Sequence, residues 1–212
     1  MKTIGSTILL AALGTIAGFA QQWEVGAIGG ASFLNRVNVS STYGSATAGF
    51  ATGAVGGVFF GQTLYSKLSG EIHYEFFQSN QKLTSGGSSA EFSGIAHAIH
   101  YDLVFHTNRE DSPVQVFGSV GGGMKIFQGT GTPGACLGLC QFGAFTQTHV
   151  VKPVGVVGGG VSFRLAPHLY LRTEVMDFVG PFPKDLIAPV AGAKFGSILQ
   201  DIVPMVGLTY LF

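Results

Sequence analysis

The chain has 212 residues with 11 basic and 11 acidic side chains, so no excess of charge points to nucleic acid or another polyanion. Charged residues make up only 10%, mean hydropathy is +0.40, and Gly numbers 33 against 8 Pro. A soluble domain of this length carries about 25% charged residues to cover its surface, which argues against an ordinary soluble globule.

Residues 1–20 read as a secretory signal. Lys2 precedes the apolar run Ile8 to Ile16, and Ala17-Gly18-Phe19-Ala20 puts small residues at the two positions a signal peptidase reads. That apolar run is too short to span a bilayer. The expected mature domain is residues 21–212, starting at Gln21. Beyond Ala20 nothing reaches the roughly 20 unbroken apolar residues of a transmembrane helix. The longest candidate, Ala48 to Phe60, is interrupted by Gly49, Gly53, Gly56 and Gly57. A bilayer admits only helices and closed sheets, so an apolar chain without such helices points to a barrel.

Alternating or Gly-Val-rich runs follow at Trp23–Phe33, Phe50–Phe60, Leu68–Phe77, Phe92–Phe105, Val114–Phe127, Val150–Phe163, Leu169–Phe178 and Ile202–Phe212. Each has about the 9–11 residues or more of a tilted membrane strand, and together they predict an all-β, eight-stranded antiparallel transmembrane barrel with up-and-down meander topology. The connections Leu34–Gly49, Gln78–Glu91, Gln128–His149 and Val179–Asp201 are long; Gly61–Lys67, His106–Pro113 and Arg164–His168 are short. Long loops outside and short turns inside the periplasm place both termini in the periplasm.

The charges obey strand parity. Glu71, His73 and Glu75 share one face, opposite Leu68, Ile72, Tyr74 and Phe76. His100 and Asp102 oppose Ile99, Tyr101, Leu103 and Phe105; Lys125 opposes Met124 and Ile126; Lys152 opposes Val151 and Val157; Arg172 and Glu174 oppose Leu171 and Val175. A base facing lipid at the midplane costs roughly 2–4 kcal/mol, so a membrane barrel demands this sorting. The polar face also carries Gly26, Gly30, Ala96, Ala98, Gly121, Gly123, Gly158, Gly160 and Gly207, which suit a crowded interior better than a solvated surface. Trp23, Phe60, Phe105, Phe163, Tyr210 and Phe212 cluster at the periplasmic edge of the apolar face as an interfacial girdle.

Eight strands enclose only enough room for their own side chains. Glu24, Glu71, Asp102, Arg172 and Glu174 fall in the lower half of the lumen, with Lys125 and Lys152 higher on adjacent strands. With Glu75 they form a candidate ion-pair network, because buried charge must be paired. Arg172 is its expected centre, with Glu71, Glu174 and Asp102 as candidate partners. A narrow conducting path, helped by the interior glycines, is the alternative.

Cys136 and Cys140, in Cys-Leu-Gly-Leu-Cys, suit a loop disulfide in an exported protein, with free thiols as the main alternative. No His, Asp or Glu lies between Gly129 and Thr148 to complete a metal site there. Glu91, Ser93 and His97 share one parity near the outer end of the fourth run, where lipid-modifying enzymes of small barrels keep a Ser and a His. Four strand residues span about 13 Å, however, too far for a nucleophile and its base. Gly121-Gly122-Gly123 and Gly158-Gly159-Gly160 match no phosphate-binding loop, and Asn38-Val39-Ser40 is uninformative as a glycosylation acceptor in a bacterial outer membrane. No catalytic residue, cofactor or metal is expected.

The last run alternates and ends on an aromatic, with Val206, Leu208, Tyr210 and Phe212 on one face. It resembles the C-terminal signal that outer-membrane barrels present to their assembly machinery, carried here by Leu208, Tyr210 and Phe212. With the leader, eight strands, charged lumen and terminal Phe, the mature chain resembles the OmpA-like and OmpX-like small barrels of the stand-alone type. That resemblance implies a monomer among outer-membrane lipids, with an envelope or surface-interaction role and loops open to extracellular ligands. Minor permeation and, more weakly, lipid modification remain the alternative functions.

Overall fold

The computed structural model describes residues 22–108, 112–131, 138–190 and 192–212. The leader, Gln21 and Cys136 lie outside the described residues. Fifteen strands follow in chain order: β1 Trp23–Leu34, β2 Val37–Ser41, β3 Gly44–Phe50, β4 Gly53–Tyr65, β5 Leu68–Gln78, β6 Gln81–Ser85, β7 Ser88–Phe92, β8 Gly94–His106, β9 Val114–Gly129, β10 Gly143–Phe145, β11 His149–Ala166, β12 Leu169–Pro181, β13 Ile187–Pro189, β14 Lys194–Phe195 and β15 Ile198–Leu211. Among the described residues no helix is long and apolar enough to cross a membrane.

Eight of these strands close a barrel in the order β1-β15-β12-β11-β9-β8-β5-β4, and β1 returns to β4. All neighbours are antiparallel, and apart from the closing β1–β15 pair they are successive barrel strands, which is the up-and-down meander that the alternating runs predict. The pleat separates two environments. In β5, Glu71, His73 and Glu75 are buried while Ile72, Tyr74 and Phe76 face outward. The outer wall is predominantly apolar and includes Val58, Ile99, Leu103, Val120, Val157, Val175 and Val206. At the end holding the tight turns, Trp23 stacks on Phe60 with ring centroids 5.1 Å apart, and Tyr210 meets Phe212 edge-on at 5.1 Å.

Among the described residues, the four long connections carry strands of their own. Hairpins β2–β3 and β6–β7 join β14 in a five-stranded sheet ordered β14-β2-β3-β6-β7, and β10 pairs with β13. Gly86 and Gly87 (φ +56° and +85°) form the two-residue turn between Ser85 and Ser88, a conformation that side chains with a Cβ resist. At this loop end, Phe50 stacks on Phe127 at 5.4 Å and approaches Phe182 at 6.2 Å. Val39, Ala48, Leu83, Phe142, Leu186 and Ile187 are buried in the same core, so the mouth of the barrel is closed by apolar packing.

The eighth barrel strand begins at Ile198, four residues before the expected Ile202. Pro204 has no amide proton and interrupts the pattern that marks a strand from sequence. Asp201, expected in a loop, is therefore a buried lumen residue.

A buried charged column as the candidate functional site

The lumen charges are positioned by register. β5 and β8 pair Glu71 with Asp102, His73 with His100, and Glu75 with Ala98. Two inward ladders, Glu-x-His-x-Glu and Ala-x-His-x-Asp, thus lie side by side, and the small Ala98 leaves room for the Glu75 carboxylate. Across the lumen, β12 contributes Arg172 and Glu174.

Arg172 donates a parallel pair of hydrogen bonds to Glu71, Nη1 to Oε1 and Nη2 to Oε2, each 2.9 Å. Its Nε donates to Glu174 Oε2 at 2.8 Å. The guanidinium lies between the rings of Phe59 and Phe117, 4.5 and 4.3 Å from their centroids. Two carboxylates and two aromatic faces thus replace the water that a buried guanidinium loses.

Above it lies the imidazole pair. His73 Nε2 contacts Glu71 Oε2 at 2.9 Å, and His100 Nδ1 contacts Asp102 Oδ1 at 2.8 Å. The opposite nitrogens converge on Glu75: His100 Nε2 is 3.0 and 3.1 Å from its two oxygens, and His73 Nδ1 is 3.3 Å from Oε1. The two rings stack at 4.8 Å with 10° between planes. Phe59 covers His73 at 5.1 Å, and Phe178 meets His100 edge-on at 5.2 Å.

Nearer the loop end, Lys125 Nζ donates to Asp201 Oδ2 at 2.6 Å, while Ser32 Oγ donates to Asp201 Oδ1 at 2.6 Å. The ammonium sits 3.6 Å above Phe77, with Phe178 and Phe127 at 5.1 and 5.6 Å. The whole column is sealed from solvent: Glu71, Glu75 and Asp102 are 0% exposed, and Lys125, Arg172 and Glu174 are 2–3% exposed.

Arg172, Glu71, Glu174, Glu75, Asp102 and Lys125 all lie in this column, but two expectations need correction. Asp102 contacts His100 and not Arg172, because Glu71 and Glu174 occupy the guanidinium. Lys152 is directly opposite Lys125 in register, yet the like charges diverge. Its Nζ lies 3.7 Å from the exposed carboxylate of Asp185, outside the column. Glu24 lies nearer the turns and lines a cavity with His106, Gln115, Ser162, Tyr170 and Thr209, where His106 Nε2 is 2.6 Å from Ser69 Oγ. Sequence reasoning placed His73 and His100 inward without joining them to the network, and it missed Asp201, whose parity with Val203 and Met205 was the available signal.

Outside the barrel, Glu91 pairs with Lys82 at 2.5 Å, and His97 Nδ1 is 2.8 Å from the Tyr74 hydroxyl. Ser93 is engaged with neither. Leu208, Tyr210 and Phe212 face outward at the turn end, and the Phe212 amide donates to the Trp23 carbonyl at 2.8 Å.

No protein-family model matches the chain, and no curated protein matches it. Its fold does match solved outer-membrane proteins. Neisserial surface protein A superposes with a TM-score of 0.54 and 14% identity over 89% of this chain and 96% of that one. The outer membrane protein AlkL, solved by solid-state NMR in lipid bilayers, gives 0.50 and 11% identity over 92% of each chain. The chain therefore has the fold of the small eight-stranded outer-membrane barrels.

Proposed function

We propose that the chain is an integral protein of the bacterial outer membrane whose sealed barrel anchors the loop sheet at the cell surface, with both termini periplasmic. The packed lumen is the observation that carries this reading. A continuous column of paired charges and aromatic rings fills the space a permeating solute would need, and the loop core closes one mouth. The apolar outer wall suits lipid, and the ordered hairpins suit an envelope or surface-contact role. We assign the chain no reaction, since Glu91, Ser93 and His97 engage other partners or none. The test is single-cysteine labelling in a Cys136→Ser, Cys140→Ser background. In intact cells an impermeant maleimide should modify Ser88→Cys at a hairpin tip and spare Lys67→Cys in a turn. The reverse pattern, or recovery of the protein in the soluble fraction, would overturn the reading.

Two further expectations belong to it. Deleting Phe212 removes a modest contact but damages the end that the assembly machinery would recognise. Outer-membrane levels should fall in cells while the purified protein still refolds in detergent; unchanged levels would count against a recognition role. Cys136 and Cys140 are proposed to be joined, consistent with Cys140 not being a free thiol. So short a loop stabilises by at most about 2–3 kcal/mol, because the entropic effect grows with loop length. Thiol titration of the unreduced, denatured protein should find no free thiol, and finding two per chain would refute the bond.

A further inference from the structure

Two imidazoles and a carboxylate converge on one buried point in the lumen. Glu71 and Asp102 hold the outer nitrogens of His73 and His100, so each ring presents its outer N–H to a carboxylate. The inner nitrogens, His73 Nδ1 and His100 Nε2, both face the acceptor-only carboxylate of Glu75. The two rings stack at 4.8 Å with 10° between their planes. His73 Nδ1, fully buried, lies 3.3 Å from Glu75 Oε1 but outside hydrogen-bond geometry. The surroundings favour positive charge: among the described residues, the buried acids Glu71, Glu75, Asp102, Glu174 and Asp201 outnumber the buried permanent cations Arg172 and Lys125.

We propose that His73 Nδ1, His100 Nε2 and the Glu75 carboxylate form a binding site for one borderline divalent cation of the zinc type. Two imidazole nitrogens and one carboxylate oxygen are donors that zinc takes. Glu71 and Asp102 complete the pattern, because metal-ligating histidines hand their other N–H to a carboxylate that fixes tautomer and ring orientation. The His–Glu distances of 3.0–3.3 Å suit the roughly 3.3 Å between ligands on a tetrahedral ion with bonds of about 2.0–2.1 Å. All three ligand atoms lie within 4.8 Å of one another. A tetrahedral ion holds its ligands about 3.3 Å apart, so loading draws the ligand atoms together by up to about 1.5 Å and tilts the near-parallel rings until both lone pairs meet the ion. A divalent cation there would add positive charge among the buried carboxylates. This site does not depend on which way the loops face or on whether the barrel conducts.

The test uses the full chain, without an affinity tag, refolded in detergent with excess Zn(II) or Co(II) and then desalted. Elemental analysis should find about one ion per folded chain, as expected for a single closed site. His73→Gln and His100→Gln should each lower retention at least tenfold, while Asp102→Asn should weaken it by about 10–100-fold. The Cys136→Ser, Cys140→Ser variant should bind like wild type. X-ray absorption of the zinc-loaded wild type should show two imidazoles with oxygen completing the shell, and it decides the matter even if the histidine variants fail to fold. Folded wild type retaining less than about a tenth of an ion, retention unaffected by both histidine changes, or a sulfur- or oxygen-only shell would each overturn the proposal.

Discussion

Replacing Arg172 by Ala is expected to destabilise the refolded protein by on the order of 3–5 kcal/mol, as for a broken buried ion pair. The side chain holds Glu71 with two hydrogen bonds and Glu174 with a third, and it fills the gap between Phe59 and Phe117. Truncation strands two carboxylates in a place no solvent reaches and leaves a cavity between two rings. Urea unfolding in lipid vesicles, followed by Trp23 fluorescence, measures the loss. Adding Glu71→Gln should recover part of it, because the stranded charge is removed along with its partner. An Arg172→Ala barrel as stable as wild type would show that the column contributes little to stability.

Gly160→Val should be costly for a different reason. A Cβ on Gly160 would overlap the Thr173 carbonyl oxygen and come within 2.7 Å of Phe117 Cζ and 2.9 Å of Glu174 Cα. Backbone atoms on the neighbouring strand have no rotamer with which to escape, so the wall must spread. Phe117 would also lose its place over Arg172. A loss on the order of 3 kcal/mol is expected from overpacking of this kind, with the same unfolding measurement as the check. Gly56 provides the control: it has open space where a Cβ would go, and Gly56→Ala should fall within about 0.5 kcal/mol of wild type.

The barrel was legible in the chain because membrane strands obey a period of two over long stretches. Glu71-x-His73-x-Glu75 and His100-x-Asp102 declare an inward face by themselves. Partner identity was not legible, because it depends on register and shear. Glu71 and Arg172 are 101 residues apart, and nothing local distinguishes Glu71 from Asp102 as the acid that Arg172 takes. Lys152 shares the parity and depth of Lys125, yet its carboxylate, Asp185, comes from a loop rather than the lumen. The outer hairpins were hidden by Gly-, Ser- and Thr-rich composition that reads as loop, although Gly86-Gly87 between Gln81–Ser85 and Ser88–Phe92 carries the turn signal of a tight hairpin.

Planar-bilayer recording of the refolded protein tests the sealed lumen most directly. The wild type should insert without steady conductance, and Arg172→Ala alone should stay silent because the Lys125–Asp201 layer and its aromatic rings still close the path. Arg172→Ala combined with Lys125→Ala removes both charged layers and should produce discrete openings. Steady conductance from the wild-type barrel would contradict the sealed column and make the lumen a pore.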